Sequence, residues 1–285
     1  MSGDAITATT CRNCGDTHQL RFCPNCGEKR YDEHALSIRH FLEETFEGLF
    51  HFDSKFLRTI KTLVRRPGQL SLDHVEGRRV GWVRPFQLFV LVNVIIFFLL
   101  LSNPFSIPLH NYVTYRPFVD YGTVEAVNAR VAALHIAPAE YERLFDHSMH
   151  SSSKSFLVLL IPLHALLFGL LLINTRRRVV EHLVFATHYL TFVLVAFLCI
   201  EYLAVPFELG AELMGKHLAN ELVDITFVVV LSALFVTWLF FGLKRFYRAS
   251  AVQCALVALV IGAGFFQLLQ VYRMGLFLGL LRTVH

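Results

Sequence analysis

Five long apolar stretches are the feature of this sequence that most limits its fold. They cover residues 86–103, 156–173, 183–207, 222–243 and 251–271. A helix needs about 20 mostly apolar residues to cross the hydrocarbon core of a bilayer, and inside that core only helices and closed barrels satisfy the backbone hydrogen bonds. The sequence therefore predicts an all-α polytopic membrane protein with five transmembrane helices.

The composition agrees with a chain that has lipid as its main solvent. Hydrophobic residues make up 55% of the 285 residues and charged residues 17%, which is too apolar for a surface that faces only water. Residues 85–285 are expected to form the transmembrane domain. Within it, the segment 104–155 is polar enough to lie outside the membrane and has helical spacing. We expect a helical hairpin there, ended by a flexible polar linker at 150–153.

Basic residues flank the predicted spans asymmetrically. Arg and Lys cluster at 78–84, at 176–178 and at 244–248, whereas the loops between these clusters hold as many acidic residues as basic ones or more. Short loops rich in Arg and Lys stay on the cytoplasmic side of a membrane. The pattern predicts a cytoplasmic N-terminus and a C-terminus on the outside.

Two C-x-x-C-G motifs lie within residues 1–30. Their cysteines are Cys11, Cys14, Cys23 and Cys26. Paired C-x-x-C turns have the ligand spacing of tetrahedral zinc sites, and a glycine after each second cysteine permits a positive φ. A module of about 20 residues cannot build its own core, so a bound metal would supply most of its folding free energy. We predict a structural zinc ribbon, with an iron site or a thiol redox pair as the alternatives.

Residues 31–84 have the pattern of amphipathic helices at a membrane surface. Apolar residues share one face of 36–50, and Asp53 can cap a second helix. The basic side chains of that helix and of the segment after it are Lys55, Arg58, Lys61, Arg65, Arg78 and Arg79. Each basic residue near anionic lipid contributes about 1 kcal/mol to membrane binding. The alternative is a soluble helix packed on the zinc ribbon.

Polar residues inside the predicted spans are candidates for function because they are costly there. They are Asn93, His164, His188, Glu201 and Asp224. His164 and His188 have similar predicted depths in adjacent spans, so we expect each to face the bundle interior and the other's helix. The set either lines a path for a proton, a metal ion or a polar headgroup, or only makes hydrogen bonds between packed helices.

Three further segments have distinctive sequences. They are 53–68, which ends in Pro-Gly, 76–85, which runs from Glu-Gly-Arg-Arg to Arg-Pro, and 181–188. With the double cysteine motif and the basic loop that ends at Arg248, they resemble an uncharacterised bacterial family, a domain of unknown function, in which an N-terminal zinc ribbon precedes about five transmembrane helices. The resemblance implies a multi-pass protein of the bacterial inner membrane. It implies no established activity.

Two functions of different classes are compatible with these patterns. The leading hypothesis is transport or lipid handling through the intramembrane polar residues, regulated by the zinc ribbon and the basic helix. The alternative is a membrane-anchored scaffold or regulatory protein that binds a cytoplasmic protein partner through the ribbon. The sequence contains no hydrolase, metalloprotease or P-loop motif, so we expect no enzyme. Anionic lipid is an expected partner, nucleic acid is not, and no pattern specifies an oligomeric state.

Overall fold

The computed structural model describes residues 8–29, 54–99, 103–116, 118–213 and 220–283, with the side chains of 204–213 and 220–224 excepted. Two short strands, β1 (Thr9–Thr10) and β2 (Thr17–His18), form an antiparallel pair. The helices are α1 (Ser54–Arg65), α2 (Gln69–Val75), α3 (Pro85–Leu99), α4 (Leu109–Thr114), α5 (Thr123–Leu134), α6 (Pro138–Ser155), α7 (Leu160–Leu171), α8 (Val179–Leu213), α9 (Asn220–Phe246), α10 (Ala251–Ala263) and α11 (Phe265–Thr283). The amphipathic helix predicted at 36–50 lies outside the described residues.

Three of the described helical segments are long and apolar enough to cross a membrane. They are Pro138–Leu171, Val179–Leu203 and Ile225–Phe246. The last two helices make a fourth span if the pair, bent by 43°, is counted as one. Helix α3 is apolar but has only 15 residues. The all-α polytopic class is confirmed, with three or four spans by length and composition where the sequence predicted five.

The last predicted span is bent rather than straight. The break separates α10 from α11 at Gly264, whose N–H still donates to the Val260 carbonyl at 3.1 Å. A Cβ on Gly264 would collide with that carbonyl oxygen, so the backbone there leaves no room for a side chain. Glycine therefore permits a bend that the hydropathy of 251–271 does not reveal.

Helix α8 lies at the centre of the bundle. It packs against α2, α3, α7 and α9, and 72% of its most apolar stretch of 18 residues is buried. Stacked rings join it to α9, with Phe185 over Phe246 at 5.3 Å and Phe192 over Trp238 at 5.0 Å between ring centroids. A helix that is apolar on every face is stable only when protein or lipid surrounds it. The polar residues His182, Thr187, His188 and Thr191 of this helix are buried.

The turn between α1 and α2 sits directly on α9. Gly68 has φ +76°, and a Cβ there would lie 2.6 Å from the Gly242 carbonyl oxygen. The Trp238 indole N–H donates to the Leu63 carbonyl at 2.8 Å, and Arg245 Nη1 donates to the Pro67 carbonyl at 2.6 Å. The buried face of α1 thus contacts the bundle.

The segment 104–155 is helical, as predicted, but the linker expected at its end is not flexible. Residues 150–155 belong to α6, which continues through a 3-10 turn into α7. Ser151 and Ser153 donate their hydroxyls to carbonyls of the preceding turn, and Ser153 is fully buried and accepts a hydrogen bond at its carbonyl from Tyr272. Serines satisfied in this way remain helical, so the prediction of a flexible linker is wrong.

The three basic clusters of the sequence meet at one end of the bundle. Glu76 pairs with both Arg78 and Arg248, and Arg177 Nη2 donates to the Phe246 carbonyl at 2.7 Å. We call this the basic end, formed by residues 76–84, 176–178 and 244–248. Elsewhere, α4 contacts α11 through the Tyr112 hydroxyl, which donates to the Arg273 carbonyl at 3.0 Å.

Candidate functional site

The four cysteines of the N-terminal motifs form one cluster. Cys11 Sγ lies 3.6 Å from Cys26 Sγ, and Cys14 Sγ lies 3.5 Å from Cys23 Sγ. All four sulfurs lie within 4.8 Å of one another. Zn–S bonds of about 2.3 Å in a tetrahedron place the sulfurs about 3.8 Å apart. The number, type and spacing of these donors fit one tetrahedral metal ion, so the predicted cluster is confirmed as a site that can bind metal.

Both motifs wrap the cluster with the same backbone hydrogen bonds. In the first, the Gly15 N–H donates to the Cys11 carbonyl at 2.9 Å, and the Cys11 N–H donates to the Asp16 carbonyl at 2.7 Å. The pattern recurs around Cys23 and Gly27. Gly15 and Gly27 have φ +81° and +74°, values that residues with a Cβ rarely adopt. We call residues 8–29 the cysteine module.

The thiols of the cluster differ in acidity. Desolvation raises the pKa of Cys26, but hydrogen bonds from the Glu28 backbone and the Asn13 side chain lower it to about 7. For Cys14, a backbone hydrogen bond from Asp16 lowers the pKa, while desolvation and the neighbouring thiols raise it to about 12. The neighbouring thiols thus make Cys14 harder to deprotonate than Cys26. A divalent metal ion displaces thiol protons and holds the sulfurs as thiolates.

Glu28 connects the cysteine module to the basic end. Its backbone carbonyl accepts from the Cys23 N–H at 2.8 Å. Its Oε2 accepts from the Arg79 N–H at 2.9 Å and from the Val80 N–H at 3.1 Å. The residue is only 9% exposed. Sequence reasoning missed Glu28, because a single carboxylate after the second motif has no pattern that distinguishes it from a surface residue.

A small cleft opens next to this turn, and we call it the arginine cleft. Its polar lining is His74, Arg78, Arg79, Trp82, Arg84 and His188, and its volume is about 10 Å³. Arg78 pairs with Asp73, and Arg79 Nε donates to the His74 carbonyl at 2.9 Å. Burial lowers the pKa of His74 well below 6.5, and the guanidinium charges of Arg79 and Arg84 lower it further.

His188 is the point where the arginine cleft reaches α8. The side chain is 2% exposed, and its Nδ1 lies 2.9 Å from the hydroxyl of Ser71 on α2. Ser71 is itself fully buried. The short helix α2 therefore supplies a polar partner for His188 that the sequence did not indicate.

His164 lies in the bundle interior but contacts different groups. It is fully buried on α7, and its Nδ1 lies 2.8 Å from the Leu160 carbonyl oxygen. Its ring lies 5.5 Å from the ring of Tyr189 on α8, and both His164 Nε2 and the Tyr189 hydroxyl are buried without a hydrogen-bond partner. Residues adjacent on a helix point in different directions. His164 thus faces the helix of His188 without touching its imidazole.

A third polar group lies around Lys154 at the end of α6. Its ammonium is buried, donates to the Phe97 carbonyl at 3.4 Å and lies 5.7 Å from the Phe97 ring centre. Asn93 Nδ2 donates to the Lys154 carbonyl at 3.2 Å, and the Glu201 carboxylate interacts electrostatically with Lys154. The serine-rich sequence before Lys154 resembled a linker, which is why this lysine was missed. The side chain of Asp224 lies outside the described residues.

The basic residues of α1 point away from the bundle. Lys55, Arg58, Lys61 and Arg65 are exposed. Arg58 Nη2 donates to the Gly81 carbonyl at 2.7 Å and lies 5.5 Å from the Trp82 ring. Leu57, on the same helix, is 72% exposed. An outward face with basic and apolar residues side by side is typical of an interfacial helix.

Part of the chain matches a known family. The family described as Protein of unknown function (DUF3667) matches residues 53–97. This segment contains α1, α2, the turn held by Glu28 and most of α3, and it supplies the whole polar lining of the arginine cleft except His188. Comparison with curated proteins and with solved structures gives no match.

Proposed function

We propose that the protein transports a small polar solute, or handles lipid, by means of the polar groups along α8. In this proposal it lies in the bacterial inner membrane with the basic end and the N-terminus in the cytoplasm, because Arg and Lys concentrate at that end. The short apolar helix α3 is taken as a fifth crossing, which puts the C-terminus outside. It acts without enzymatic chemistry. The cysteine module holds structural zinc and regulates access from the cytoplasm.

The observation that carries this proposal is the position of ionisable groups at successive depths of α8. His188 lies against Ser71, Tyr189 lies beside His164, and Glu201 interacts with Lys154. From 188 to 201 the helix rises by about 20 Å, which is two thirds of a hydrocarbon core of about 30 Å. Ionisable groups are rare at such depths unless they serve a substrate or proton path.

Zinc is the metal that this proposal assigns to the cluster. Four thiolates in a closed tetrahedron leave no coordination position for a substrate, so the site has a structural role. Glu28 lies one residue beyond the second motif and also holds the turn at the arginine cleft. Loss of the metal would unfold a module of this size, and with it the contact at the cleft.

Proteoliposomes that contain the purified protein test the path. The probes are a pH-sensitive dye for proton flux and a fluorescent phospholipid for movement between leaflets. We expect flux of at least one probe above empty liposomes, and its loss in His164→Leu and His188→Leu variants that remain folded and inserted. His147→Leu, an exposed histidine of α6, is the matched control. Full activity in both path variants contradicts the proposed path. No flux of either probe contradicts a proton path and lipid movement between leaflets.

A second function, a membrane-anchored scaffold or regulator, is favoured by the packing around His164. Its ring lies 5.5 Å from Tyr189 and 6.1 Å from Phe265, so aromatic side chains surround it closely. Under this proposal the bundle is an anchor, and the cysteine module binds a cytoplasmic protein. Cross-linking of the full chain in membranes distinguishes the two functions. The scaffold is supported if a cross-linked protein partner disappears in the double variant Cys23→Ser, Cys26→Ser and if the wild-type chain shows no flux of either probe.

A further inference from the structure

We propose that His164 and Tyr189 together bind one water molecule in the interior of the bundle. The site consists of one acceptor and one donor on neighbouring helices, both buried and both without a hydrogen-bond partner in the described part of the chain. It would be present whether or not the protein transports anything. The inference therefore goes beyond the proposed function.

His164 presents the acceptor. Its Nδ1 lies 2.8 Å from the Leu160 carbonyl oxygen, and a carbonyl can only accept a hydrogen bond, so Nδ1 carries the ring proton. An unpaired imidazolium is unfavourable in a fully buried position, and His164 is fully buried. The neutral ring then has a lone pair on Nε2. Among the described residues, no group donates to this atom.

Tyr189 supplies a donor beside it. The side chain is fully buried, and its ring centre lies 5.5 Å from that of His164. The other rings around it belong to Phe168, Phe235 and Trp238. The indole N–H of Trp238 already donates to a backbone carbonyl at 2.8 Å. These aromatic neighbours therefore offer no acceptor to the Tyr189 hydroxyl, which has no partner in the described structure.

A second pair of the same residue types shows what a direct bond looks like in this fold. The rings of His182 and Tyr247 are stacked, with centres 5.4 Å apart and planes 24° apart, and His182 Nδ1 lies 2.8 Å from the Tyr247 hydroxyl. The His164 and Tyr189 rings have almost the same separation but are tilted by 54°. This tilt leaves their two polar atoms unbonded.

One water molecule satisfies both atoms. Its oxygen accepts from the Tyr189 hydroxyl, and one of its O–H groups donates to His164 Nε2. Two such bonds of about 2.8 Å each can join atoms up to about 5.6 Å apart. Buried polar atoms without a protein partner are commonly bonded to ordered water. The ring of Phe265 also lies 6.1 Å from that of His164, so aromatic side chains limit the ligand to the size of water.

Equilibrium unfolding of the full chain in detergent tests whether the Tyr189 hydroxyl is bonded. Tyr189→Phe removes only the hydroxyl, and we expect it to shift the equilibrium about fivefold toward the unfolded state, as for the loss of one typical hydrogen bond. Tyr247→Phe, which breaks the direct bond to His182, should shift it in the same direction and calibrates the assay. Tyr121→Phe removes an exposed hydroxyl and should have no effect. Unchanged or higher stability of Tyr189→Phe would overturn the site, because a truly unpartnered hydroxyl is better removed.

Solid-state NMR of the histidine-labelled chain in lipid bilayers tests for the water itself. Magnetisation that starts on water should reach the His164 ring rapidly although this ring is fully buried, and the His164 signal is identified by its loss in His164→Leu. In Tyr189→Phe the water loses one of its two partners, so the transfer should slow.

The two measurements together decide the proposal. Lower stability of Tyr189→Phe with rapid transfer to His164, slowed by the same substitution, supports the shared water. Slow transfer in the wild-type chain overturns the water in favour of a direct bond between the side chains. Rapid transfer that Tyr189→Phe leaves unchanged overturns the role of Tyr189. Since neither measurement detects flux, these results are independent of any test of transport.

Discussion

Replacing Glu28 with alanine should release the cysteine module from the basic end without emptying its metal site. The carboxylate accepts two backbone hydrogen bonds, from Arg79 and from Val80, at 2.9 and 3.1 Å. A hydrogen bond to a charged group contributes about 1.5–3 kcal/mol. Both donor residues are only partly buried, so the lower value applies to each, for a total of about 3 kcal/mol. That free energy is a factor of about 150 in the equilibrium between the bound and released module.

Hydrogen exchange of the full chain in detergent measures this equilibrium. We expect the amides of Arg79 and Val80 to exchange up to about 150-fold faster in Glu28→Ala. The amides of Cys11 and Cys23, which lie inside the module, should keep their protection. Glu28→Gln retains an acceptor oxygen and loses only the charge, so its effect should be smaller.

Two comparisons decide whether the reasoning holds. Glu142→Gln removes an exposed carboxylate of α6 and should leave the turn unchanged. A metal chelator should speed hydrogen exchange at the same turn in the wild-type chain. It should cause little further increase in Glu28→Ala, because two changes that act through one contact are not additive. Unchanged exchange at Arg79 and Val80 in the alanine variant would refute the contact. A chelator effect of equal size in both proteins would refute the coupling.

The remaining predictions concern the metal, the topology and the packing of one turn. Purified protein should contain about one zinc per chain, and elemental analysis that finds undiminished zinc after Cys23→Ser with Cys26→Ser would contradict the site. A cysteine introduced at Thr175 should react only with reagents on the cytoplasmic side, as the Arg and Lys asymmetry requires. Gly68→Ala should lower the free energy of unfolding by about 1–3 kcal/mol, because it combines a positive φ with a collision. Gly279→Ala, where a Cβ meets nothing within 4 Å, should be neutral or slightly stabilising. Thermal unfolding of both variants in detergent measures the two effects.

Prediction from the sequence succeeded where a property is carried by neighbouring residues. Each C-x-x-C-G motif specifies its own turn, so the cluster of Cys11, Cys14, Cys23 and Cys26 could be foreseen before any fold was known. Three of the five predicted spans, or four with the bent pair, were found in the same way, because hydropathy over about 20 residues is a local quantity. Their ends were less predictable. The serines before Lys154 read as a linker, but their hydroxyls bond to the preceding turn and Ser153 is buried against Tyr272.

The sequence by itself determined that this chain is helical, lies in a membrane and carries a four-thiol cluster. Solvation and short-range geometry depend on residues that are neighbours in the sequence. Only the tertiary structure decided which surfaces meet. Glu28 contacts Arg79 across 51 positions, and Ser71 contacts His188 across 117. Neither Ser71 nor Glu28 belongs to a periodic pattern or motif. Their partners are set by how α2 and the cysteine module pack at the basic end, and such packing depends on the shapes of several elements together.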